Sequence, residues 1–122
     1  MKQTLSYLLI GTLYFGLTSC EKDDDSAQAA CEAKSDVVRQ ADKWEGRIVF
    51  DSALNTYVVR YSVPGSIDSV LDGLVCSLPA DLRQPGQLVT FSGNYRAYTG
   101  ASKPQIGGQE YYYLELTSIT AR

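Results

Sequence analysis

Histidine is absent from the chain, and its absence limits the chemistry available to the protein. Catalysis by a Ser-His-Asp or Cys-His set, the HExxH zinc motif and imidazole metal ligands are all excluded. Basic residues are also few, with 11 Lys and Arg against 14 Asp and Glu, and they form no basic block. A nucleic-acid partner is therefore disfavoured. The length of 122 residues allows one domain.

No apolar run is long enough for a membrane-spanning helix, which takes about twenty residues, but a shorter run stands near the start. Lys2 is the only charge before residue 21, and residues 5–17 are almost entirely apolar or small. This pattern is typical of a secretory signal peptide. The run ends in Leu17-Thr18-Ser19-Cys20, which matches the bacterial lipobox. We therefore predict a signal peptide over residues 1–19 and acylation of Cys20 with palmitate-type chains, which would anchor the protein in a membrane.

An acidic run, Glu21-Lys22-Asp23-Asp24-Asp25, follows the lipobox cysteine. It resembles the export signal of Bacteroidota-type lipoproteins, which implies an outer-membrane lipoprotein exposed at the cell surface. The alternative is a solvated acidic spacer on a lipoprotein that faces the periplasm. The run lacks the spacing and the glycine of an EF-hand loop, which disfavours calcium. We assign residues 20–43 to the lipidated cysteine and its tether. Periodicity alone does not separate a flexible tether from a frayed helix in the first part of residues 26–43, and Val37 and Val38 could begin the first strand.

Two cysteines remain once Cys20 is assigned to the lipid. Cys31 and Cys76 form an even pair in an oxidising compartment, so we predict a disulfide between them. The alternative is a pair of free thiols that are buried as small apolar groups.

From Trp44 onward the pattern of residues predicts β-strands. Residues 46–51, 56–63, 87–98 and 110–119 alternate or are rich in β-branched and aromatic residues, and turn formers separate them. Residues 67–76 fit a strand or a short helix, with the strand favoured. Gly93 in mid-strand predicts a bulge or a tight coil of the strand, as in small barrels.

Five or six strands with no firm helix predict an all-β fold over residues 44–122. The pattern fits a small closed or partly open β-barrel of the OB-fold type, since closure removes exposed strand edges. A β-sandwich is the alternative.

Several segments of this region are similar to small Bacteroidota-type outer-membrane lipoproteins with an OB-like β domain. The resemblance covers about 75 residues and rests on Gly46-Arg47-Ile48, residues 64–69, residues 76–79, residues 89–93 and residues 107–112. The resemblance implies a location and a fold. It implies no active-site residues, because such proteins largely lack an assigned function.

Tyrosine is the most distinctive component of the domain. Aromatic side chains stack on sugar rings and are favoured in protein interfaces, whereas filling of the barrel and strand propensity would also account for them. Three consecutive tyrosines must point to both faces of a strand, so Tyr111 and Tyr113 are predicted to point outward. The residues predicted to bind a partner are Trp44, Tyr95, Tyr98, Tyr111 and Tyr113.

The loop of residues 99–109 is a second candidate, because loops of OB-like barrels often hold ligands. It lacks the GxGxxG and GxxxxGK patterns, and no cofactor or metal is predicted. The carboxylates Asp68, Asp72, Asp81 and Glu110 have no spacing that supports acid–base catalysis, so the protein is not expected to be an enzyme. We predict an envelope binding module or adaptor that contacts another envelope protein, with a glycan or small ligand as the alternative.

Overall fold

Five strands and one short helix account for most of residues 25–122, the part of the chain that the structure, a computed structural model, describes. The predicted signal peptide and Cys20 lie outside the described residues. The elements are α1 (Asp25–Cys31), β1 (Val37–Asp51), β2 (Thr56–Ser62), β3 (Val70–Val75), β4 (Leu88–Ala97) and β5 (Gln109–Ala121). Within the described residues, no helix is long and apolar enough to cross a membrane.

The strands form a closed barrel in the order β1-β2-β3-β5-β4. β3 and β5 run parallel, and the other neighbouring strands are antiparallel. A 3₁₀ turn at Ala80–Leu82 lies in the connection from β3 to β4, where Leu78 and Leu82 are buried. This is a small barrel of the OB-fold type, so the predicted fold is confirmed and the β-sandwich alternative is wrong.

The inward-facing side chains follow the two-residue period of the strands. In β2 the inner face carries Tyr57, Val59 and Tyr61, and in β5 it carries Tyr112, Leu114 and Leu116. Residues from the other strands complete the core: Ala41, Ile48, Leu71, Val75, Val89, Phe91 and Tyr95.

Gly93 allows two strands to approach each other at an irregularity in the barrel wall. The register of β4 against β5 shifts between Ser92 and Gly93. A Cβ atom at Gly93 would clash with the backbone carbonyl oxygen of Glu115. The bulge predicted from this mid-strand glycine is therefore present.

A second, smaller core lies on the outside of the barrel, over β2, β3 and β5. Ala29 and Ala30 of α1, with Ala33 just after it, pack against this cluster, and a disulfide joins Cys31 to Cys76. The predicted disulfide is thus formed. The buried residues of this outer cluster are Leu54, Val58, Leu74, Tyr111 and Tyr113.

The folded unit begins before Trp44, the predicted start of the domain. β1 starts at Val37, and α1 packs on the barrel wall. The domain boundary was predicted at Trp44 because residues 26–43 show no clear period, although a helix in the alanine-rich stretch and a strand start at Val37 were open alternatives.

Candidate binding site

One end of the barrel carries a cluster of aromatic side chains, which we call the barrel mouth. At this end β2 and β4 finish and β3 and β5 begin. The mouth is defined by Trp44, Tyr61, Phe91, Tyr95 and Tyr112.

The aromatic rings of the mouth pack on one another. Trp44 stacks on Tyr61, with ring centroids 4.1 Å apart and planes 20° apart. Tyr95 lies 5.8 Å from Trp44 and 5.5 Å from Tyr112, the latter edge to face. Trp44, Tyr61 and Tyr112 are half-buried, whereas Phe91 and Tyr95 are fully buried beneath them. The three half-buried rings therefore present an aromatic surface to solvent.

Local backbone features put Trp44 in this position. The register of β1 against β4 shifts between Ala41 and Trp44, and Lys43 has a positive φ of 55°. This irregularity turns Trp44 toward the barrel interior. Gly46, two residues further on the same face, leaves room for Phe91, whose ring carbon would lie 2.9 Å from a Cβ at that position.

Polar groups accompany the rings. The Tyr112 hydroxyl donates a hydrogen bond of 2.7 Å to the exposed carboxylate of Glu110. Burial raises the pKa of Tyr112, the bond to Glu110 raises it further, and the guanidinium of Arg39 lowers it. The mouth therefore has one cationic and one anionic group beside the rings.

The hydroxyl of Tyr95 is the one buried side-chain polar atom in the described residues that has no hydrogen-bond partner. Burial raises the pKa of Tyr95, and the neighbouring Tyr61 hydroxyl raises it further. A buried hydroxyl normally finds a partner because leaving it unpaired costs about 1–3 kcal/mol. This donor lies beneath the half-buried rings of the mouth.

A shallow apolar groove adjoins the mouth. It has a volume of about 450 Å³ and lies between the start of β1 and the loop that joins β4 to β5. Val38 and Ile106, on these two segments, are exposed by 54% and 58%. The lining residues are Val38, Ala97, Tyr98, Pro104 and residues 109–112.

The residues predicted to bind a partner divide between two places. Trp44 and Tyr95 are in the mouth. Tyr98, Tyr111 and Tyr113 pack together on the outside of the barrel, with Tyr98 centred 5.4 Å from Tyr111 and 5.3 Å from Tyr113. Tyr111 and Tyr113 do point away from the interior, but they are only 6% and 4% exposed because α1 and Tyr98 cover them.

Tyr111 and Tyr113 therefore point outward as predicted, but their burial leaves them no surface with which to contact a partner. Tyr111 instead donates a 2.7 Å hydrogen bond to the buried Asp51, and burial followed by this bond raises its pKa. The Tyr113 hydroxyl lies 3.1 Å from that of Thr99. Both tyrosines hold the outer core together.

Asp72, one of the carboxylates considered for catalysis, is fully buried and paired with Arg60. The guanidinium donates two hydrogen bonds of 2.8 Å to the carboxylate, and Gln109 donates a third. The side-chain oxygen of Gln109 accepts from the backbone N–H groups of Gln105 and Ile106. Asp72 thus ties the loop between β4 and β5 to the barrel wall.

The remaining candidate carboxylates do not join this cluster: Asp68, Asp81 and Glu110 are exposed. In the described part of the chain, no group of three or more metal-ligating side chains is present. The geometry thus offers an aromatic contact surface with polar groups at its edge.

Tyr61 and Tyr112 of the mouth, and Arg39 beside it, were not among the residues predicted to bind. The two-residue period of β2 and β5 points Tyr61 and Tyr112 toward the barrel interior. Their place at the end of the barrel depends on the strand register, which the sequence pattern does not reveal. Arg39 was assigned to the tether.

No known protein-family model and no curated protein sequence matches this chain. The resemblance to Bacteroidota-type lipoproteins accordingly stays a prediction.

Proposed function

We propose that the protein is a lipid-anchored binding module of the cell envelope, attached to the outer membrane through Cys20 and exposed at the cell surface. It acts as an adaptor that contacts another envelope protein through the barrel mouth and the adjoining groove. The lipobox and the acidic run support the anchor and the location. The resemblance to Bacteroidota-type outer-membrane lipoproteins supports both.

The observation that carries the contact role is the half-exposed aromatic surface of Trp44, Tyr61 and Tyr112. Aromatic residues are enriched at the energetic centres of protein interfaces, where they bury a large area with few rotatable bonds. Arg39 and Glu110 beside the rings provide charges of both signs. The outer wall of β2 and β3, where OB-folds commonly bind ligands, is covered here by α1, Leu54 and Tyr98.

Affinity purification after cross-linking tests this proposal. Cells that produce the tagged full-length protein are treated with a membrane-impermeant cross-linker, and the co-purifying proteins are quantified. Arg39→Glu reverses a charge beside the mouth, and Arg47→Glu reverses an exposed charge elsewhere as the control. We expect one dominant partner that is lost in R39E and retained in R47E. Equal recovery with both variants, or no cross-linked partner with the wild type, would contradict the proposal.

A glycan is the second candidate ligand, because the mouth combines half-exposed stacked rings with the polar groups of Arg39 and Glu110 at its edge. Sugars offer both a face for stacking and hydroxyl groups for hydrogen bonds. Trp44 is the only tryptophan of the chain, so its fluorescence reports on the mouth alone. A saturable change of Trp44 fluorescence on addition of envelope oligosaccharides would favour a glycan ligand. An unchanged emission spectrum would favour the protein partner.

A further inference from the structure

The two ends of the barrel can be distinguished along a single strand. Trp44 and Phe50 belong to the same face of β1, and they are six residues apart in an extended segment, which corresponds to about 20 Å. Trp44 stacks on Tyr61 at the end of β2, whereas Phe50 packs on Tyr57 at its beginning. Trp44 therefore marks the mouth, and Phe50 marks the opposite end.

The N-terminal helix is held at the Phe50 end. Gln28 and Cys31 line a hollow of about 360 Å³ together with Phe50, Asn55 and other residues of that end. The partner of Cys31 in the disulfide is Cys76, which directly follows the last residue of β3. Because β3 begins beside the mouth and finishes at the other end, the disulfide holds α1 far from the mouth.

The distance from the predicted lipid anchor to this helix is short. Four residues lie between Cys20 and Asp25, the first residue of α1, and the five Cα–Cα steps that join them cover at most about 18 Å in a fully extended chain. Asp25 is in turn within one helical turn of Gln28. The Phe50 end of the barrel is therefore kept near the surface in which Cys20 is anchored.

We propose that the tether and the Cys31–Cys76 disulfide orient the barrel so that its mouth faces away from the anchoring membrane. The mouth is then presented to a partner that approaches from the side opposite the bilayer. This inference rests on the proposed lipid anchor, and it adds the direction from which the proposed partner is engaged.

The disulfide is needed for this orientation because α1 is weak by itself. A helix of seven residues is too short to be stable alone in water, and its contacts with the outer core come from alanine side chains. If α1 detached, the chain from Cys20 to Lys34 would become the tether, since Ser35 bonds to β4, and its maximal reach would be about 50 Å. The barrel could then turn either end toward the membrane.

Resonance energy transfer from tryptophan to a headgroup-labelled lipid tests the orientation. The full-length acylated protein is reconstituted in phosphatidylethanolamine vesicles that carry a dansyl group on a fraction of the headgroups. The native protein has its tryptophan at the mouth, and the double variant Trp44→Phe, Phe50→Trp moves it to the other end. We expect transfer to be several-fold more efficient from position 50 than from position 44. Equal transfer, or stronger transfer from position 44, would overturn the inference.

A second comparison leaves Trp44 in place and does not depend on the folding of the double variant. Opening the disulfide by Cys31→Ser together with Cys76→Ser should raise the average transfer from Trp44, because the mouth then visits the bilayer surface. Unchanged transfer in a variant that keeps the native circular dichroism spectrum would contradict the role of the disulfide.

Failure of the anchor is a distinct result. If the purified protein carries no acyl chains and does not bind the vesicles, neither tryptophan position gives transfer. That outcome overturns the proposed anchoring and the orientation together, whereas bound protein with equal transfer overturns the orientation alone.

Discussion

Asp72→Ala is expected to be among the most damaging single substitutions in the barrel, because it removes the acceptor of three side-chain hydrogen bonds. Asp72 is fully buried, whereas the Arg60 side chain retains 27% of its exposure. Loss of one partner of a buried pair typically costs 3–5 kcal/mol. Arg60 can regain part of its hydration, so we expect a loss of about 3 kcal/mol, near the lower end of that range.

Urea unfolding followed by circular dichroism measures this loss. About 3 kcal/mol corresponds to a fall in Tm of roughly 12–24 °C for a domain of this size. The control is Asp81→Ala, an exposed carboxylate on the 3₁₀ turn, whose removal should change stability by less than about 0.5 kcal/mol.

A double variant distinguishes the cost of an unpaired buried charge from the cost of changing the side chain at position 72. Arg60→Met with Asp72→Leu replaces both charges by apolar groups, and such replacements are often close to neutral. We expect this variant to recover most of the lost stability. A loss of less than about 1 kcal/mol in D72A, or no recovery in the double variant, would refute the reasoning from an uncompensated buried charge.

Three further perturbations test the packing of the fold. Removal of the disulfide by C31S with C76S should cost about 4 kcal/mol in the chain-entropy model, since the bond closes a separation of 45 residues; an unchanged urea midpoint would contradict this. Gly93→Ala should lower the free energy of unfolding by about 1–3 kcal/mol through overpacking, whereas Gly107→Ala, with open space at its Cβ, should leave it unchanged. Equal urea midpoints for the two variants would show that the barrel wall accommodates the added methyl group. Because the pKa values of Tyr95 and Tyr111 are raised in the fold, their contribution to stability is present below the unfolded pKa of about 10 and is lost as the pH rises above it. In an alkaline titration followed by ultraviolet absorbance, these two tyrosines should ionise only when the protein unfolds. Their ionisation in the folded protein, at the same pH as exposed tyrosines, would contradict their burial.

The strands of the barrel could be predicted from the sequence because the alternation of side chains depends only on neighbouring residues. Alternation in residues 56–63 and 110–119 identified both segments as strands, and Gly93 signalled an irregularity. The closed barrel followed from the number and length of these strands. The disulfide followed from cysteine arithmetic and the predicted compartment.

The candidate site was harder to predict from the sequence, because it depends on which strands become neighbours and on which segments cover them. The exposure of Tyr111 and Tyr113 depends on α1, a segment whose alanines look like those of a spacer but pack on the outer core. The start of β1 at Val37 was only one of the alternatives for a similar reason. Residues 39–43 are polar apart from Ala41, and the strand continues there because β4 supplies its hydrogen-bonding partner.

Site-specific photocross-linking in intact cells tests the central claim, that the mouth is the contact surface, most directly. A photoreactive amino acid is introduced at position 39, beside the mouth, and separately at position 52, an exposed position in the turn between β1 and β2 at the opposite end. The account predicts one discrete envelope-protein adduct from position 39 and none from position 52. Adducts from position 52 alone, or equal adducts from both, would contradict it.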